Sequence, residues 1–237
     1  MLKKIYFTEL DSTNEQLEKL AIEGATEGTV LITKLQTKGK GQGSNKWVSE
    51  PGGLYFSILL RPKKLLPLLS IMAGIVTVET FREVTELEFG IKWPNDIIFN
   101  NQKIAGILVE SKFIGVTPEY SIVGCGLNIN QNKFPEMDEY SATSLKILTE
   151  KDFDLDFVLD NFLKRFESYY CLYNSGNTTY IINKFRTYSY LNEQVVKIKL
   201  FADKITEGKI IGINDDGALL LLKSDQNIET LYSGPII

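Results

Sequence analysis

Residues 92–111 read Lys92-Trp93-Pro94-Asn95-Asp96-Ile97-Ile98-Phe99-Asn100-Asn101-Gln102-Lys103-Ile104-Ala105-Gly106-Ile107-Leu108-Val109-Glu110-Ser111. Pro94 has no amide donor and a fixed φ, so a strand entering through residues 91–93 stops there and turns, presenting Asn95 and Asp96 beside the next strand. Asn100-Asn101 supplies a second turn, and Lys103 opens an apolar strand. Two lysines (Lys92, Lys103), a carboxylate and an amide therefore gather around one tight hairpin, a set suited to anions and a metal ion.

Working outward, residues 3–8 have strand character, and Asp11-Ser12-Thr13-Asn14-Glu15 leads into Leu17, Leu20 and Ala21 at helical spacing. Ser12 and Glu15 stand in capping-box spacing, which alone explains Ser12 as a helix cap. Residues 29–35 are β-branched and apolar and run into a glycine-rich loop, Gln36-Thr37-Lys38-Gly39-Lys40-Gly41-Gln42-Gly43-Ser44-Asn45-Lys46-Trp47. Three of its side chains are cationic, so it either folds over an anion or is a flexible surface loop. It is neither a P-loop nor a Rossmann fingerprint, because Gly-Lys-Ser/Thr is missing and no helical pattern follows. Residues 54–61 read as a buried strand, 66–84 as a long apolar helix and 119–130 as another strand. Gly124 and Gly126 weaken that last strand, so they mark either a bulge or a place where something approaches the backbone. Residues 154–173 repeat apolar side chains at helical spacing, and a further helix is expected at 179–188. After Asn192 the texture changes to short alternating strands at 195–201, 206–213, 218–223 and 228–233, which predict a small β-barrel of SH3-like type.

Composition narrows the chemistry. With 237 residues, 43% of them hydrophobic, the chain can bury a full core. The longest uncharged run, 65–78, is interrupted by Pro67, Ser70 and Gly74 and is too short to cross a bilayer, and acidic residues appear before any signal-like segment, so a cytoplasmic location with no membrane partner is expected. Cys125 and Cys171 lack CxxC spacing and read as buried free thiols. A formal charge of −4 gives no electrostatic case for DNA. Histidine is absent, which removes Ser-His-Asp and Cys-His nucleophiles and HExxH metal sites. Phosphoryl and nucleotidyl transfers fit that restriction, since they depend on positioning, Mg²⁺ and cationic clamps.

The K-W-P-N-D segment followed by K-I-A-G-I-L-V-E-S closely resembles the central signature of biotin protein ligases. Taken alone, the stretch also admits the reading of a strand and turn with ordinary surface lysines. Three other segments stand in the matching order: S-T-N at Ser12-Thr13-Asn14, a loop similar to G-R-G-x-x-G-x-x-W at 39–47 with Lys40 where arginine is usual, and a G-x-G-x-N segment at Gly124, Gly126 and Asn128. The resemblance covers nearly the whole chain. It implies an α/β fold of α+β type: a mixed β-sheet backed by helices on one side, class II synthetase-like, over residues 1–190, then the SH3-like barrel over 191–237. It also implies a form without an N-terminal DNA-binding domain.

The implied reaction has two steps. Biotin is activated with MgATP to biotinyl-AMP, and the biotinyl group passes to a lysine of a biotin carboxyl carrier protein, the enzyme acting as a monomer or homodimer. By resemblance, Ser12, Thr13, Asn14 and Gln36 hold the ureido ring, a neutral group that only fixed donors and acceptors recognise. Lys103, beside Gly106, bridges the biotin carboxylate and the α-phosphate, and Lys40 closes over the acyl phosphate with the amides of Gly39 and Gly41. Asn95 and Asp96 orient Mg²⁺ or water on the triphosphate, with Asp96, Lys103 and Lys40 as the catalytic set. Gln42, Lys46, Trp47, Lys92 and Asn128 border the nucleotide, and Trp47 and Trp93 act as packing anchors. Two alternatives stay open: a lipoate or octanoate ligase with the same adenylate chemistry, which competition between biotin and lipoate separates, and a non-catalytic biotin-binding regulator, against which intact Lys103 and Asp96 speak.

Overall fold

A computed structural model describes residues 2–135, 141–200, 204–234 and 236. Seven strands form one sheet in the order β1-β2-β3-β7-β6-β5-β4. They are β1 (Lys3–Phe7), β2 (Thr29–Thr33), β3 (Leu54–Leu60), β4 (Gly90–Lys92), β5 (Asp96–Phe99), β6 (Gln102–Ile114) and β7 (Thr117–Leu127). β1 and β2 pair in parallel and every other neighbouring pair is antiparallel, so the sheet is mixed. Every residue of β2 and β3 is buried, the signature of strands covered on both faces.

Helices cover both faces, which corrects the one-sided arrangement expected from the sequence. On one face lie α2 (Leu69–Thr85), α4 (Leu155–Asn174) and α5 (Thr178–Tyr188), packed over Val30, Ile32, Phe56, Ile58, Val123 and Cys125. On the other face α1 (Thr13–Ile22) buries Leu17 and Ala21 against Leu31, Leu59, Tyr120 and Ile122. The period-two alternation of strands explains the split, since adjacent residues such as Ile58 and Leu59 point to opposite faces. Fully burying a side chain such as Leu17 stabilises the fold by about 1.5–3 kcal/mol. α4 starts where the Asp154 side chain accepts from the amides of Asp156 and Phe157 at 2.9 and 3.2 Å. A short helix that the sequence pattern did not suggest, α3 (Leu145–Thr149), is capped by the Ser144 hydroxyl.

β5 and β6 join through Asn100 (φ 46°) and Asn101 (φ 63°), the left-handed pair of a tight hairpin turn. The predicted strand at 119–130 ends at Leu127, leaving Asn128 beyond it. At the C-terminus β8 (Val195–Lys199), β9 (Ile205–Ile213), β10 (Leu219–Leu222) and β11 (Ile228–Leu231) form an antiparallel sheet in the order β11-β10-β9-β8, and Ile236 bridges back to Ile198 of β8. Residue 201, the end of the strand expected at 195–201, lies outside the described residues. This sheet is docked on the larger unit. The Asp215-Asp216-Gly217 turn presses Gly217 (φ +79°) against Leu68 and Ile71, and Trp93 Nε1 donates to Gly217 O at 2.9 Å. Among the described residues no helix is long and apolar enough to cross a membrane.

Candidate active site

The site is built on the face of the sheet that α1 covers. On that face β3 presents Ser57 beside Leu59, β7 presents Gly124 and Gly126 in line with Ile122, and β6 presents Gly106, Leu108 and Glu110. The face is apolar under α1 and turns to glycine and polar groups at the helix N-terminus. β7 runs through Gly124 and Gly126 in unbroken register, so the bulge reading of those glycines is set aside; the glycines make room. A Cβ at Gly124 would overlap the Asn14 amide, and one at Gly126 would overlap the Trp47 indole. Gly106 is the register partner of Gly126 and lies under the same ring.

Lys103 reaches this face through a bulge. Ile97 pairs with Ala105 and Ile98 with Lys103, leaving Ile104 as the extra residue, so odd-numbered Lys103 and even-numbered Gly106 point the same way. Lys103 Nζ lies 2.7 Å from Asp96 Oδ1, with side-chain exposures of 26% and 19%, and 5.2 Å from the centre of the Trp47 ring. Asn95 pins the K-W-P-N-D turn, whose Trp93–Pro94 bond is cis, to β6: its Nδ2 donates to Ile107 O at 2.7 Å and its carbonyl accepts from Ile107 N at 3.0 Å.

At the start of α1, Ser12 holds the N-cap position, but its hydroxyl makes no cap hydrogen bond, so the capping box expected with Glu15 is not formed. Glu15 pairs instead with Lys40, Nζ to Oε1 at 2.6 Å, and that carboxylate raises the lysine pKa above its ordinary value. Ser12, Thr13 and Asn14 are each under 5% exposed. Thr13 N donates to Gln36 Oε1 at 2.8 Å, and Gln36 Nε2 donates to Ser49 Oγ at 3.0 Å. The glycine-rich loop is folded as a small hairpin, with Lys40 bridged to Lys46, Gly41 N donating to Asn45 O and Trp47 N donating to Gly39 O.

Two adjoining cavities open here. The first, about 120 Å³, takes its walls from Ser12, Thr13, Asn14, Gln36, Lys40, Gly41 and Gly106. The second, about 600 Å³, takes its own from Lys92, Trp93, Pro94 and Asn128. Gln42, Lys46, Trp47, Asn95, Asp96 and Lys103 border both. Of the residues the sequence singled out, only Gly39 walls neither. It sits beneath Trp47, where a Cβ would overlap the Trp47 carbonyl. Lys92 Nζ donates to Ile236 O at 3.3 Å, and the Asn128 side-chain oxygen accepts from Gln131 at 3.3 Å, so each already has a protein partner. Trp47 Nε1 is buried without a hydrogen-bond partner. Cys125 also borders the small cavity, but its side chain belongs to the core on the opposite face, where burial raises the thiol pKa far above the ordinary range, so it is inert; Cys171, expected to be buried as well, is exposed.

Sequence reasoning missed Ser57 and Glu110. Ser57 Oγ lies 2.7 Å from Thr13 Oγ1 and 2.6 Å from Asn14 Oδ1, and Glu110 accepts from Asn14 Nδ2 at 2.7 Å. The available signal for Ser57 was a single hydroxyl inside the apolar run Leu54-Tyr55-Phe56-Ser57-Ile58-Leu59-Leu60.

Comparison with known proteins agrees with this geometry. Residues 6–128 match the Biotin/lipoate A/B protein ligase family, and residues 191–237 match the Biotin protein ligase C terminal domain. The bifunctional ligase/repressor BirA of Bacillus subtilis is 33% identical over 98% of this chain and 73% of its own length. The biotin–[acetyl-CoA-carboxylase] ligase of Mycobacterium tuberculosis is 29% identical over 89% of this chain and 79% of its own. Among solved structures, the biotin protein ligase from Aquifex aeolicus in complex with biotin and ATP superposes with a TM-score of 0.85 at 33% identity, covering 100% of this chain and 98% of that one. With residues 6–128, which hold the residues of the small cavity together with Lys103 and Asp96, and residues 191–237 both matched, the chain belongs to the biotin/lipoate A/B protein ligase family and, within it, to the biotin protein ligases.

Proposed function

We propose that the small polar cavity receives the ureido ring of biotin, the larger one receives MgATP, and Lys103 serves the point where they meet. The observation that carries this reading is the wall common to the two cavities, on which Lys103 and Asp96 stand. A biotin carboxylate oxygen attacks the α-phosphorus, the bond to the β-phosphate breaks, and pyrophosphate leaves with the electron pair. A carrier lysine then attacks the acyl carbon of biotinyl-AMP, AMP departs, and the amine proton passes to solvent. Two anions must approach in the first step. An ammonium between them offsets their repulsion and gains value as charge builds in the transition state.

Ser12, Thr13 and Gln36 are the ureido contacts in this proposal. Asn14 orients them, and Lys40 covers the acyl phosphate. Mg²⁺ neutralises phosphate charge, and the residues present fit it only as a substrate-borne ion. Asn95 spends its amide nitrogen on Ile107 and Asp96 gives one oxygen to Lys103, while no group of three His, Cys, Asp or Glu gathers among the described residues. An ion held by one or two such oxygens keeps water and phosphate as its other ligands. We further assign residues 1–190 to the catalytic unit and 191–237 to the C-terminal barrel. The carrier is a biotin carboxyl carrier protein of a biotin-dependent carboxylase, and the setting is the cytoplasm, in keeping with two free cysteines.

Incubating the intact protein with biotin and MgATP and identifying biotinyl-AMP and pyrophosphate by mass spectrometry tests substrate and reaction together. Adenylate made from lipoate or octanoate in preference to biotin would overturn the biotin assignment, and no adenylate at all would leave a binding protein.

A further inference from the structure

A chain of side-chain contacts runs from the outside of the biotin cavity into it: Glu110 to Asn14 at 2.7 Å, Asn14 to Ser57 at 2.6 Å, Ser57 to Thr13 at 2.7 Å and Thr13 to Gln36 at 3.1 Å. Both ends of the chain are acceptors. Glu110 is a carboxylate, which has no proton to give when ionised. Gln36 is held with Oε1 inward, because the backbone amide of Thr13 donates to it at 2.8 Å while Gln36 Nε2 donates to Ser49. Between these ends lie four contacts and three donors, the Asn14 amide and the hydroxyls of Ser57 and Thr13.

The Glu110 end decides that the far part of the chain is one proton short. Asn14 must turn its NH₂ toward Glu110 and its oxygen toward Ser57. That oxygen takes the one Ser57 proton, so the single Thr13 proton is left to serve both Ser57 Oγ at 2.7 Å and Gln36 Oε1 at 3.1 Å. One of these two contacts goes without a hydrogen, and both involve Thr13 Oγ1, on the wall of the small cavity. Burying polar oxygens in this condition is costly, and a donor from outside relieves it.

We infer that Glu110, which does not line the cavity, is a positioning residue for biotin recognition: by fixing the direction of the hydrogen-bond chain it leaves the Ser57, Thr13 and Gln36 oxygens together one proton short, and the pocket demands an N–H of a cyclic urea to supply it. The inference rests on the assignment of this cavity to biotin.

Glu110→Gln reverses the chain. The new amide donates to Asn14 Oδ1, Asn14 donates to Ser57, Ser57 to Thr13 and Thr13 to Gln36, so all four contacts are satisfied within the protein. The variant therefore binds biotin about tenfold more weakly, the loss of one well-placed hydrogen bond. It binds MgATP within twofold of the wild type, and its melting temperature is equal or higher, where a merely structural role for Glu110 would lower it. In a Thr13→Val background the same change has no further effect on biotin, because the two residues act through one contact. The measurement is calorimetric titration of the intact proteins with biotin and, separately, with MgATP, alongside thermal melts. Glu110→Ala, which leaves Asn14 unoriented, serves as a second variant with the same expected split between biotin and MgATP. Wild-type biotin affinity in both Glu110 variants, or equal weakening of both ligands with a lower melting temperature, overturns the inference. Absence of biotin binding by the wild type overturns the biotin assignment itself.

Discussion

Lys103 Nζ and Asp96 Oδ1 lie 2.7 Å apart on the wall that the two cavities share, brought to the same face by the single extra residue Ile104. Without that bulge, strand alternation would send Lys103 to the face covered by α2 and away from Gly106. The pair is half-enclosed, and each partner holds the other in place in the ligand-free protein. Asp96 therefore fixes where the ammonium stands in the ligand-free protein.

Thr13→Val raises the biotin requirement of the enzyme far more than its ATP requirement. The change keeps the volume and removes an oxygen that borders the small cavity, at a cost of about 1–3 kcal/mol when a buried partner is left unpaired. Steady-state titration of each substrate in turn checks it. Parallel rises in both would mean that Ser12-Thr13-Asn14 serves only to start α1.

Trp47 is expected to shift if biotin enters the small cavity. A pocket of about 120 Å³ falls below the roughly 300 Å³ at which ligand sites begin, and the indole over Gly106 and Gly126 takes up the difference. Its Nε1 has no hydrogen-bond partner, so packing and the Lys103 ammonium alone hold the ring there. Biotin binding is expected to change tryptophan fluorescence in the wild type and in Trp93→Phe, with the response lost in Trp47→Phe. A full response in Trp47→Phe would show that the indole stays where it is.

Lys40→Arg slows release of biotinyl-AMP by roughly tenfold if the planar fork adds one charged hydrogen bond worth about 1.4 kcal/mol. Glu15 competes for the same side chain in the ligand-free protein. Glu15→Gln is accordingly expected to slow release as well, by less, since exposed ion pairs are worth at most about 1 kcal/mol. Stopped-flow displacement of pre-formed biotinyl-AMP reads both, and faster release from either variant contradicts the assignment of Lys40 to the lid.

Much of this site was legible because its parts are local. Ser12-Thr13-Asn14, the glycine-rich loop and K-W-P-N-D each carry their chemistry within a few residues, and the turn at Asn100-Asn101 follows from two residues that tolerate positive φ. What escaped depends on register. Ser57 meets Thr13 and Asn14 because β3 lies beneath α1, and Glu110 meets Asn14 because β6 pairs with β7, relations that no single segment contains. The same limit hid the second helical face. Leu31, Leu59 and Ile122 read as core, and nothing in the runs that hold them says which neighbour covers which side.

Alkaline pH loosens the α2–α4–α5 layer. Glu79 accepts from Lys184 at 2.8 Å, Tyr169 at 2.9 Å and Tyr188 at 3.1 Å. The hydrogen bond to Glu79 raises the Lys184 pKa above 10.5, and burial raises those of Tyr169 and Tyr188 above 10.0. Groups whose folded pKa is raised contribute stability that is complete below the unfolded value and is lost as pH rises through the folded one. Denaturant midpoints are thus expected to hold from pH 8 to 9 and to fall above pH 10.5, and Lys184→Met is expected to lose stability at pH 8 and to differ less from the wild type at pH 11. A difference that does not narrow between these pH values contradicts the role given to the Lys184–Glu79 pair.

The central claim is that Lys103 bridges the two substrates in the adenylation step, and single-turnover formation of biotinyl-AMP and pyrophosphate by Lys103→Ala tests it most directly. The account predicts a loss of about 3 kcal/mol of transition-state stabilisation, roughly two orders of magnitude in rate, in a protein that still melts cooperatively and still binds biotin. Near-normal pyrophosphate release by a folded Lys103→Ala would contradict it.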